Sequence, residues 1–596
     1  MKTTTRRRGG YKPALMACAA GVSLLASPAL AQERRVDGEK ILELLVARGV
    51  ISKSDADTII SQAEVVPAPA PIQGGVAADG TQTIPYVPQV VRDQITEQVK
   101  SQLASQAQAE GWSKPGETPE WTRRISLYGD VRARYEGVFM DKDNSDNFPN
   151  FGAINAGEPQ NVNDTMPGYV EPAFINTLEN RTRFQLRARL GLKAQIADWV
   201  SADVRIATGN DRTPVSTNQT LGAFGGGGYA IWLDRASLHL TPVKGAAIDL
   251  GRFSNPFWTS ELLFDQDLNF DGIAVSGRGN IGERFALFGT AGAFPIFNTD
   301  LNFVSRNAKE FEGAAFKSQD RYLFAAQAGF DFKATEQVNV RLAGGYFHFD
   351  NVAGKVANCY YYQVVCASDA MRPAFQQFGN TMMTLRNTLY DGAPDPTVLP
   401  DNQYFGLASK FEVLNVHGAI DFKPSERFGV RLEGDFVKNL GWNRSRLRGS
   451  LVEGVGYNGI AVNNLGEQIE VLDLGTTDPD DVKKVDGPYT GGDTGWQVRL
   501  AIGSALDAGQ GNILGAKRGD WNAWLSYRRL ESDAVLDAFA DSDFHIGGTN
   551  NRGWQLGGNY AIAPNTLIGA RWMSAEEIAD APFSVDRLFV DMSVRF

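Results

Sequence analysis

The sequence predicts an all-β protein, a transmembrane antiparallel β-barrel of about 16 strands that follows a short helical N-terminal extension. Two observations predict this fold class. Apolar and polar residues alternate in many segments, as in "RFQLRARLGLKA" at 183–194, so each segment has one apolar and one polar face. The connections between the segments are alternately short and long, which is typical of outer-membrane barrels with short periplasmic turns and long external loops.

Residues 1–31 have the features of a secretory signal peptide. Basic residues precede the short apolar core "ALMACAAGVSLLA", and the small residues "ALA" at 29–31 offer a cleavage site. The apolar core is too short for a membrane anchor, which needs about 18 residues or more. We therefore expect an exported chain from which the signal is cleaved.

Residues 32–122 predict a helical periplasmic segment. Helical periodicity is present in "EKILELLVARGVISKSDADTIISQAE" and in "VRDQITEQVKSQLASQAQAEGW". The Pro- and Ala-rich stretch "VVPAPAPIQGGVAADG" between them indicates a linker. The helix at 88–110 could associate with copies of itself or act as a solvated spacer, and the sequence leaves both open.

Residues 123–596 predict the barrel itself. Short connections such as "TPVKG" and "KPSER" alternate with long ones, of which 350–410 and 439–494 are the longest. One connection, 506–519, is longer than a periplasmic turn should be. The segments with strand character begin near residues 125, 181, 199, 230, 246, 271, 284, 321, 337, 411, 427, 495, 520, 553, 565 and 586.

The last segment, "DRLFVDMSVRF", predicts how the barrel closes. Its apolar and polar residues alternate up to the terminal Phe596. An open strand edge in lipid would leave backbone groups unpaired, so this strand must pair with the first one. Aromatic residues near both ends of the segments, such as Trp496 and Trp554 at one end and Trp521 and Tyr560 at the other, predict the two aromatic girdles of a lipid-embedded barrel.

The stretch 230–275, "AIWLDRASLHLTPVKGAAIDLGRFSNPFWTSELLFDQDLNFDGIAV", resembles the putative porin family of Gram-negative outer membranes. The similar features are "LDRASL", "GRFSNPFW", "DLNFDGIAV", the N-terminal "LLVARGVISKSDAD" and the terminal Phe596. The resemblance implies a porin, a water-filled channel for passive diffusion of small hydrophilic solutes. It also implies outer-membrane lipid and lipopolysaccharide as surroundings, a homotrimer as the assembly, and no cofactor.

Charge excludes one class of partner and leaves the selectivity of a channel open. Acidic residues outnumber basic ones by 69 to 58, so nucleic acid is not an expected partner. Rings of arginine in a pore favour anions, whereas acidic loops at its mouth favour cations, and a substrate-selective channel for anions therefore stays an alternative. The arginines predicted to line the lumen are Arg132, Arg134, Arg183, Arg187, Arg189, Arg205, Arg341, Arg431 and Arg499.

The third long loop, 255–270, differs from the others in composition. Acidic residues lie among bulky apolar ones in "NPFWTSELLFDQDLNFD", and so apolar a loop is poorly suited to free solvent. We expect it to fold into the lumen as a constriction whose carboxylates face the arginines across a transverse field. A solvated acidic cluster or a weak calcium site is the alternative, although the EF-hand frame is absent. The acids are Glu261, Asp265, Asp267 and Asp271.

The remaining residues with chemical potential predict neither an enzyme nor a metal site. Cys359 and Cys366 form an even pair in an exported chain, which predicts a disulfide, with a redox pair as the alternative. The histidines are scattered and have no metal-ligand spacing, and no set of catalytic residues stands out. An adhesin that acts through loops 350–410 and 439–494 stays open. A TonB-type transporter is not expected, because 32–122 is too small and too helical for a plug domain.

Overall fold

The computed structural model of the chain describes residues 120–162, 173–209, 212–225, 227–298, 319–360, 364–389, 402–452, 456–472, 482–506 and 515–596. The chain divides into two units, Met1–Leu103 and Ala104–Phe596, and all described residues belong to the second. The predicted signal peptide and helical segment lie outside the described residues, apart from the start of a short helix at Glu120–Arg123. No helix in the described part of the chain is long and apolar enough to cross a membrane.

The alternating segments form sixteen long strands in the described ranges, which we number β1 to β16. Each begins within two residues of its predicted start, so the predicted strand number and positions are confirmed. Their bounds are β1 Ile125–Met140, β2 Arg181–Ala197, β3 Val200–Thr208, β4 Ile231–Val243, β5 Ala246–Ser254, β6 Asn269–Ile281, β7 Phe285–Phe297, β8 Arg321–Lys333, β9 Val338–Asp350, β10 Phe411–Ser425, β11 Phe428–Asn439, β12 Thr494–Gly503, β13 Trp521–Leu530, β14 Asn551–Ala563, β15 Thr566–Glu577 and β16 Ser584–Arg595.

These strands close into one antiparallel barrel. Each strand pairs with the next along the chain, and β16 pairs back onto β1, where Val594 lies opposite Val131. At the end of this pair, Gly129 and Phe596 exchange two backbone hydrogen bonds of 2.9 and 3.0 Å. The predicted closure of the last strand on the first is confirmed, and the ladder has no open edge that lipid would leave unpaired.

The two faces of each strand differ as the alternation requires. On β14, Trp554 and Leu556 are 50% and 52% exposed on the outside, whereas Gln555 between them is 7% exposed on the inside. The predicted aromatic residues Trp496, Trp521 and Tyr560 are exposed as well. An apolar outer face around a polar interior is the arrangement expected of a barrel in lipid.

The connections at one end of the barrel are tight turns, with one exception. The exception joins β12 to β13, and its described part packs against the β14–β15 turn. Gly515 N donates to Asn565 Oδ1 at 2.8 Å, and Asn565 N donates to the Ala516 carbonyl at 3.0 Å. The β14–β15 turn therefore satisfies backbone groups of the β12–β13 connection, whose length the alternation of short and long connections does not explain.

The long loops all lie at the other end, and we name them L1 to L8 in chain order: 141–180, 209–230, 255–268, 298–320, 351–410, 440–493, 531–550 and 578–583. Their described helices are Phe151–Ala156 and Arg444–Arg448, with single helical turns at Ala223–Gly225, Ala367–Met371 and Asp537–Phe539. Their short strands are Gln219–Thr220, Ala357–Tyr360, Met382–Thr384, Arg386–Leu389, Phe405–Leu407, Leu451–Val452, Gly456–Tyr457, Ile469–Leu472 and Val482–Val485.

Several long loops contribute to an apolar core inside the barrel rather than extending into solvent. Phe264 of L3 contacts Phe270 and Phe347 on the wall with ring centroids 5.1 and 5.3 Å apart. Val535 of L7 and Phe405 of L5 belong to the same buried cluster. The lumen is consequently filled in part by its own loops, and the space that they leave defines the candidate site.

Candidate functional site inside the barrel

L3 folds into the lumen because its apolar side chains find a buried surface there. Leu262, Leu263 and Phe264 are 0%, 1% and 2% exposed. Each such side chain contributes about 1.5–3 kcal/mol when it leaves water. Polar contacts fix the loop to the wall: Ser260 Oγ donates to Asp435 at 2.5 Å, and Gln327 exchanges two hydrogen bonds of 2.8 Å with the Trp258 backbone.

Two glycines face each other on the strands that flank L3. Gly251 on β5 lies opposite Gly272 on β6, and both have positive φ, +105° and +133°. A Cβ atom at either position would collide with a neighbouring carbonyl oxygen, that of Ala236 or of Ala293. Only glycine fits both the backbone conformation and the close approach.

The acidic side of L3 contacts arginines of the barrel wall directly. Asp267 Oδ1 lies 3.3 Å from Arg187 Nη1 and 3.0 Å from Arg189 Nη1. Glu261 forms an ion pair with Arg499 of β12. Burial alone would raise the pKa of Asp267, but the Arg187 and Arg189 guanidiniums outweigh it and hold that pKa below its ordinary value. Asp267 is therefore a fixed anion.

Asp265 has a different environment from Asp267. It faces L7, where its Oδ2 accepts from Ser542 N at 2.9 Å, and its own amide donates to the Phe539 carbonyl at 2.7 Å. Burial raises the pKa of Asp265, and the nearby carboxylates Asp267 and Asp541 raise it further. Asp265 thus joins L3 to L7 rather than facing an arginine.

L7 also enters the lumen, although its length and alternation did not predict this. Asp541 pairs with Arg528 at 2.7 Å, and Asp543 pairs with Arg134 at 3.0 Å and Arg571 at 2.7 Å. The Arg587 guanidinium donates to L7 carbonyls, with the Asp543 oxygen at 2.6 Å. The available signal was the stretch "DAVLDAFADSDFH", which mixes acidic and apolar residues as L3 does.

The loops leave a first polar cavity between L3, L7 and the wall, which we call the L3–L7 cavity. Carboxylates of both loops face arginines of β1, β12 and β15 across it, so its charges are mixed. Its charged lining residues are Arg132, Arg134, Arg187, Glu261, Asp265, Asp267, Arg499, Asp541, Asp543, Arg571 and Asp591.

A second polar cavity, the arginine cavity, lies against β1 to β4. One side-chain carboxylate, Asp267, lines it together with many cations. Arg132, Arg187, Gln266 and Asp267 line both cavities, so the C-terminal end of L3 marks their junction. The cations of the arginine cavity are Arg132, Arg187, Arg189, Lys193, Arg205, Arg235 and Arg595.

A β-bulge adds two residues to this wall that the alternation did not reveal. The pairing of β4 with β3 shifts register between Arg235 and Leu233, which leaves Asp234 unpaired. Asp234 is fully buried and accepts from Arg205 Nε at 2.5 Å, while Arg235 donates to Asn269 at 2.8 Å. Bulges redirect side chains in this way, and strict alternation therefore misassigns one of the two.

Three of the predicted lumen arginines lie away from both cavities. Arg183 pairs with Glu136 at 2.5 Å, Arg431 pairs with Asp421 at 2.6 Å, and Arg341 lies 4.1 Å from the Trp258 ring. Asp271, predicted as a member of the constriction loop, lies on β6 and pairs with Arg252 at 2.8 Å. The chain has already re-entered the sheet at Asn269, which separates Asp271 from the L3 acids.

Loop L5 contains the cysteine pair, and its sulfur atoms are bonded to each other between Cys359 and Cys366. The pair lies beside Asp369, which accepts from Cys366 N at 2.8 Å and from Arg386 Nε at 2.8 Å. In the described part of the chain no group of three or more His, Cys, Asp or Glu residues is placed to hold a metal ion. The disulfide closes a short segment of L5.

The chain is distantly similar to several solved outer-membrane proteins. OprB of Pseudomonas putida is 10% identical, with a TM-score of 0.37 over 80% of this chain and 95% of that one. DcaP of Acinetobacter baumannii, an outer-membrane channel, is 11% identical, with a TM-score of 0.32 over 79% and 97%. OmpF of Salmonella typhi, solved with daunomycin, is 9% identical, with a TM-score of 0.35 over 79% and 97%. Likeness this low carries no argument about function, and no curated protein matches significantly.

The family comparison is more informative than the structural neighbours. A family model described as putative porin matches residues 37–596, which include every strand of the barrel. Because the match extends over nearly the whole sequence, the chain belongs to the putative porin family.

Proposed function

We propose that the chain forms a water-filled channel in the outer membrane through which small hydrophilic solutes diffuse, with L3 and L7 together narrowing the lumen. One observation carries this proposal: two polar cavities inside the barrel share Arg132, Arg187, Gln266 and Asp267 as lining residues. A solute that moves from one cavity to the other passes these side chains. Family membership supports a channel and does not favour the adhesin.

The charges at the junction suit hydrophilic solutes. Asp267 is paired with Arg187 and Arg189, and both arginines also hold Asp130 at 2.9 and 2.6 Å. Paired charges retain lone pairs and N–H groups that can replace the water around a polar solute. Because Glu261 and Asp267 of L3 contact arginines directly, the expected transverse field would be confined to the surroundings of these ion pairs.

We infer the setting of the channel from the sequence and the outer face. The signal peptide 1–31 supports export and cleavage. The apolar outer face supports contact with outer-membrane lipid and lipopolysaccharide. The homotrimer is supported by the resemblance to porins, and native mass spectrometry in detergent would determine it.

Liposome swelling with sugars of increasing size tests the channel. We expect flux that falls with solute size and does not saturate, because passage is limited by the width of the junction. Protein that migrates as a folded barrel on a gel yet gives neither swelling nor bilayer conductance would contradict the proposal.

Gln266→Trp tests the position of the constriction. Gln266 is exposed near the C-terminal end of L3 and lines both cavities, so a larger side chain there should narrow the junction without disturbing the buried side of the loop. We expect a reduced single-channel conductance and a smaller size limit for sugars. Gln337→Trp, at the exposed β8–β9 turn, is the control. Equal conductance of both variants and the wild type would show that L3 is not the narrow point.

A further inference from the structure

The arginine cavity contains two pairs of arginines that face each other on neighbouring strands. Arg132 on β1 lies directly opposite Arg187 on β2, and Arg205 on β3 lies directly opposite Arg235 on β4. Like charges directly opposite each other destabilise a sheet. Two such pairs on four consecutive strands line one cavity.

Other lumen positions follow the opposite rule. Charges of opposite sign face each other in register at Glu136 and Arg183 on β1 and β2, at Asp421 and Arg431 on β10 and β11, and at Glu433 and Arg499 on β11 and β12. The Arg132–Arg187 and Arg205–Arg235 pairs depart from this rule, whereas on the same wall Asp130 lies opposite Arg189 and Arg595.

Two buried carboxylates bind arginines of this cavity and leave some guanidinium N–H groups without a carboxylate partner. Asp130 and Asp234 are 6% and 0% exposed, and they accept from the Nε atoms of Arg187, Arg189 and Arg205. Arg205 is itself 6% exposed, and its Nη2 is buried without a hydrogen-bond partner among the described residues. A buried donor with no partner is costly, and a bound acceptor would satisfy it.

Two arginines of the cavity have no carboxylate partner among the described residues. Arg132 donates to the Asn218 amide oxygen at 2.5 Å, and its Nε has no partner there. Arg235 donates to the Asn269 amide oxygen at 2.8 Å. A neutral amide orients a guanidinium without neutralising it, and a guanidinium held in this way can bind a carboxylate or phosphate group through charge-assisted hydrogen bonds.

We propose that the arginine cavity is a binding site for small oxyanions with two or more negative charges, and that Arg132, Arg205 and Arg235 bind them. The inference rests on the proposed channel function and gives that channel a preferred class of solute. Ser126 and Tyr128 near the start of β1 line the same cavity, which places the site on the short-turn side of L3. An anion that leaves the junction would meet this site.

Planar bilayers with the refolded full barrel test the site. In a KCl gradient we expect a reversal potential that shows chloride passing more readily than potassium. Millimolar inorganic phosphate or succinate, added on the short-turn side, should reduce the single-channel current. Arg132→Gln/Arg235→Gln should raise the half-blocking concentration tenfold or more and lower the chloride preference. Arg552→Gln, which removes one cation at the outer rim, is the control. Phosphate and succinate should block it at the same concentrations as the wild type.

The outcomes separate this inference from the channel function itself. The anion site is supported if phosphate or succinate blocks the wild-type channel and this block is lost in the double variant. The anion site is overturned if neither probe blocks the open wild-type channel, or if the probes block the double variant and the control variant equally. In both cases the channel function stands. An absence of channels from correctly folded wild-type protein would instead overturn the proposed function on which the inference rests.

Discussion

Asp267 on L3 binds two arginines of the same strand at once, with Arg189 Nη1 at 3.0 Å and Arg187 Nη1 at 3.3 Å from its Oδ1. The same guanidiniums bind Asp130 on β1. A loop carboxylate and a strand carboxylate therefore share one pair of cations, at the place where the two cavities of the lumen meet. This cluster of ion pairs therefore both holds L3 against the barrel wall and sets the charge where the two cavities meet.

Asp267→Asn should shift the ion preference of the channel toward anions. The amide has the size of the carboxylate but no charge, and Arg187 and Arg189 keep Asp130 as a partner. We expect the chloride-to-potassium permeability ratio, measured from reversal potentials, to rise severalfold. Glu576→Gln, an acid at the outer rim, should leave the ratio unchanged. An unaltered ratio in Asp267→Asn would mean that ions do not pass beside this residue.

Leu263→Ala should loosen L3. The side chain is 1% exposed within the loop core, and removal of a buried leucine typically costs about 2–5 kcal/mol. We expect a lower midpoint in heat-modifiability gels and noisier single-channel currents. Leu556→Ala on the lipid-facing side of β14 is the comparison, because no internal cavity is created there. Quiet channels with a wild-type midpoint would contradict the assignment of L3 to the core.

Asp543→Asn should weaken the attachment of L7 to the barrel wall. Asp543 compensates Arg134 and Arg571, whose side chains are 2% and 20% exposed, while Arg134 keeps Asp591 at 2.7 Å. Breaking a buried ion pair costs about 3–5 kcal/mol. We expect the lower value here, because Arg134 keeps Asp591 as a second partner. Limited proteolysis should cut L7 faster than in the wild type. If L7 is equally protected in both proteins, this ion pair does not hold the loop.

Asp537→Asn should stabilise the protein at neutral and alkaline pH only. Burial raises the pKa of Asp537 to about 7, and Asp533 raises it as well. An unfolded aspartate titrates near 4, so the folded protein binds an extra proton between about pH 4 and 7, and stability falls as pH rises through that window. The gain from Asn should be absent below about pH 4 and complete above about pH 7. Heat-modifiability midpoints at pH 4, 6 and 8 measure it, and an equal gain at pH 4 and 8 would argue against the raised pKa.

The sequence by itself determined the barrel. Each strand of a barrel in lipid must be apolar on one face and polar on the other, and this period of two is a local property that single segments display. For this reason the starts of all sixteen strands could be located within two residues, and the closure on Phe596 followed from the need to pair every backbone group.

Only the tertiary structure decided which charges meet. Asp267 and Arg187 are 80 residues apart, and Asp543 and Arg134 are 409 apart, so strand register and loop packing bring them together. A bulge at Asp234 and the entry of L7 into the lumen leave no periodic mark. Local pattern specifies the face of a residue, whereas the partner of a charge depends on contacts between distant segments. Those contacts determine which arginines of this barrel bind a carboxylate and which bind a neutral amide.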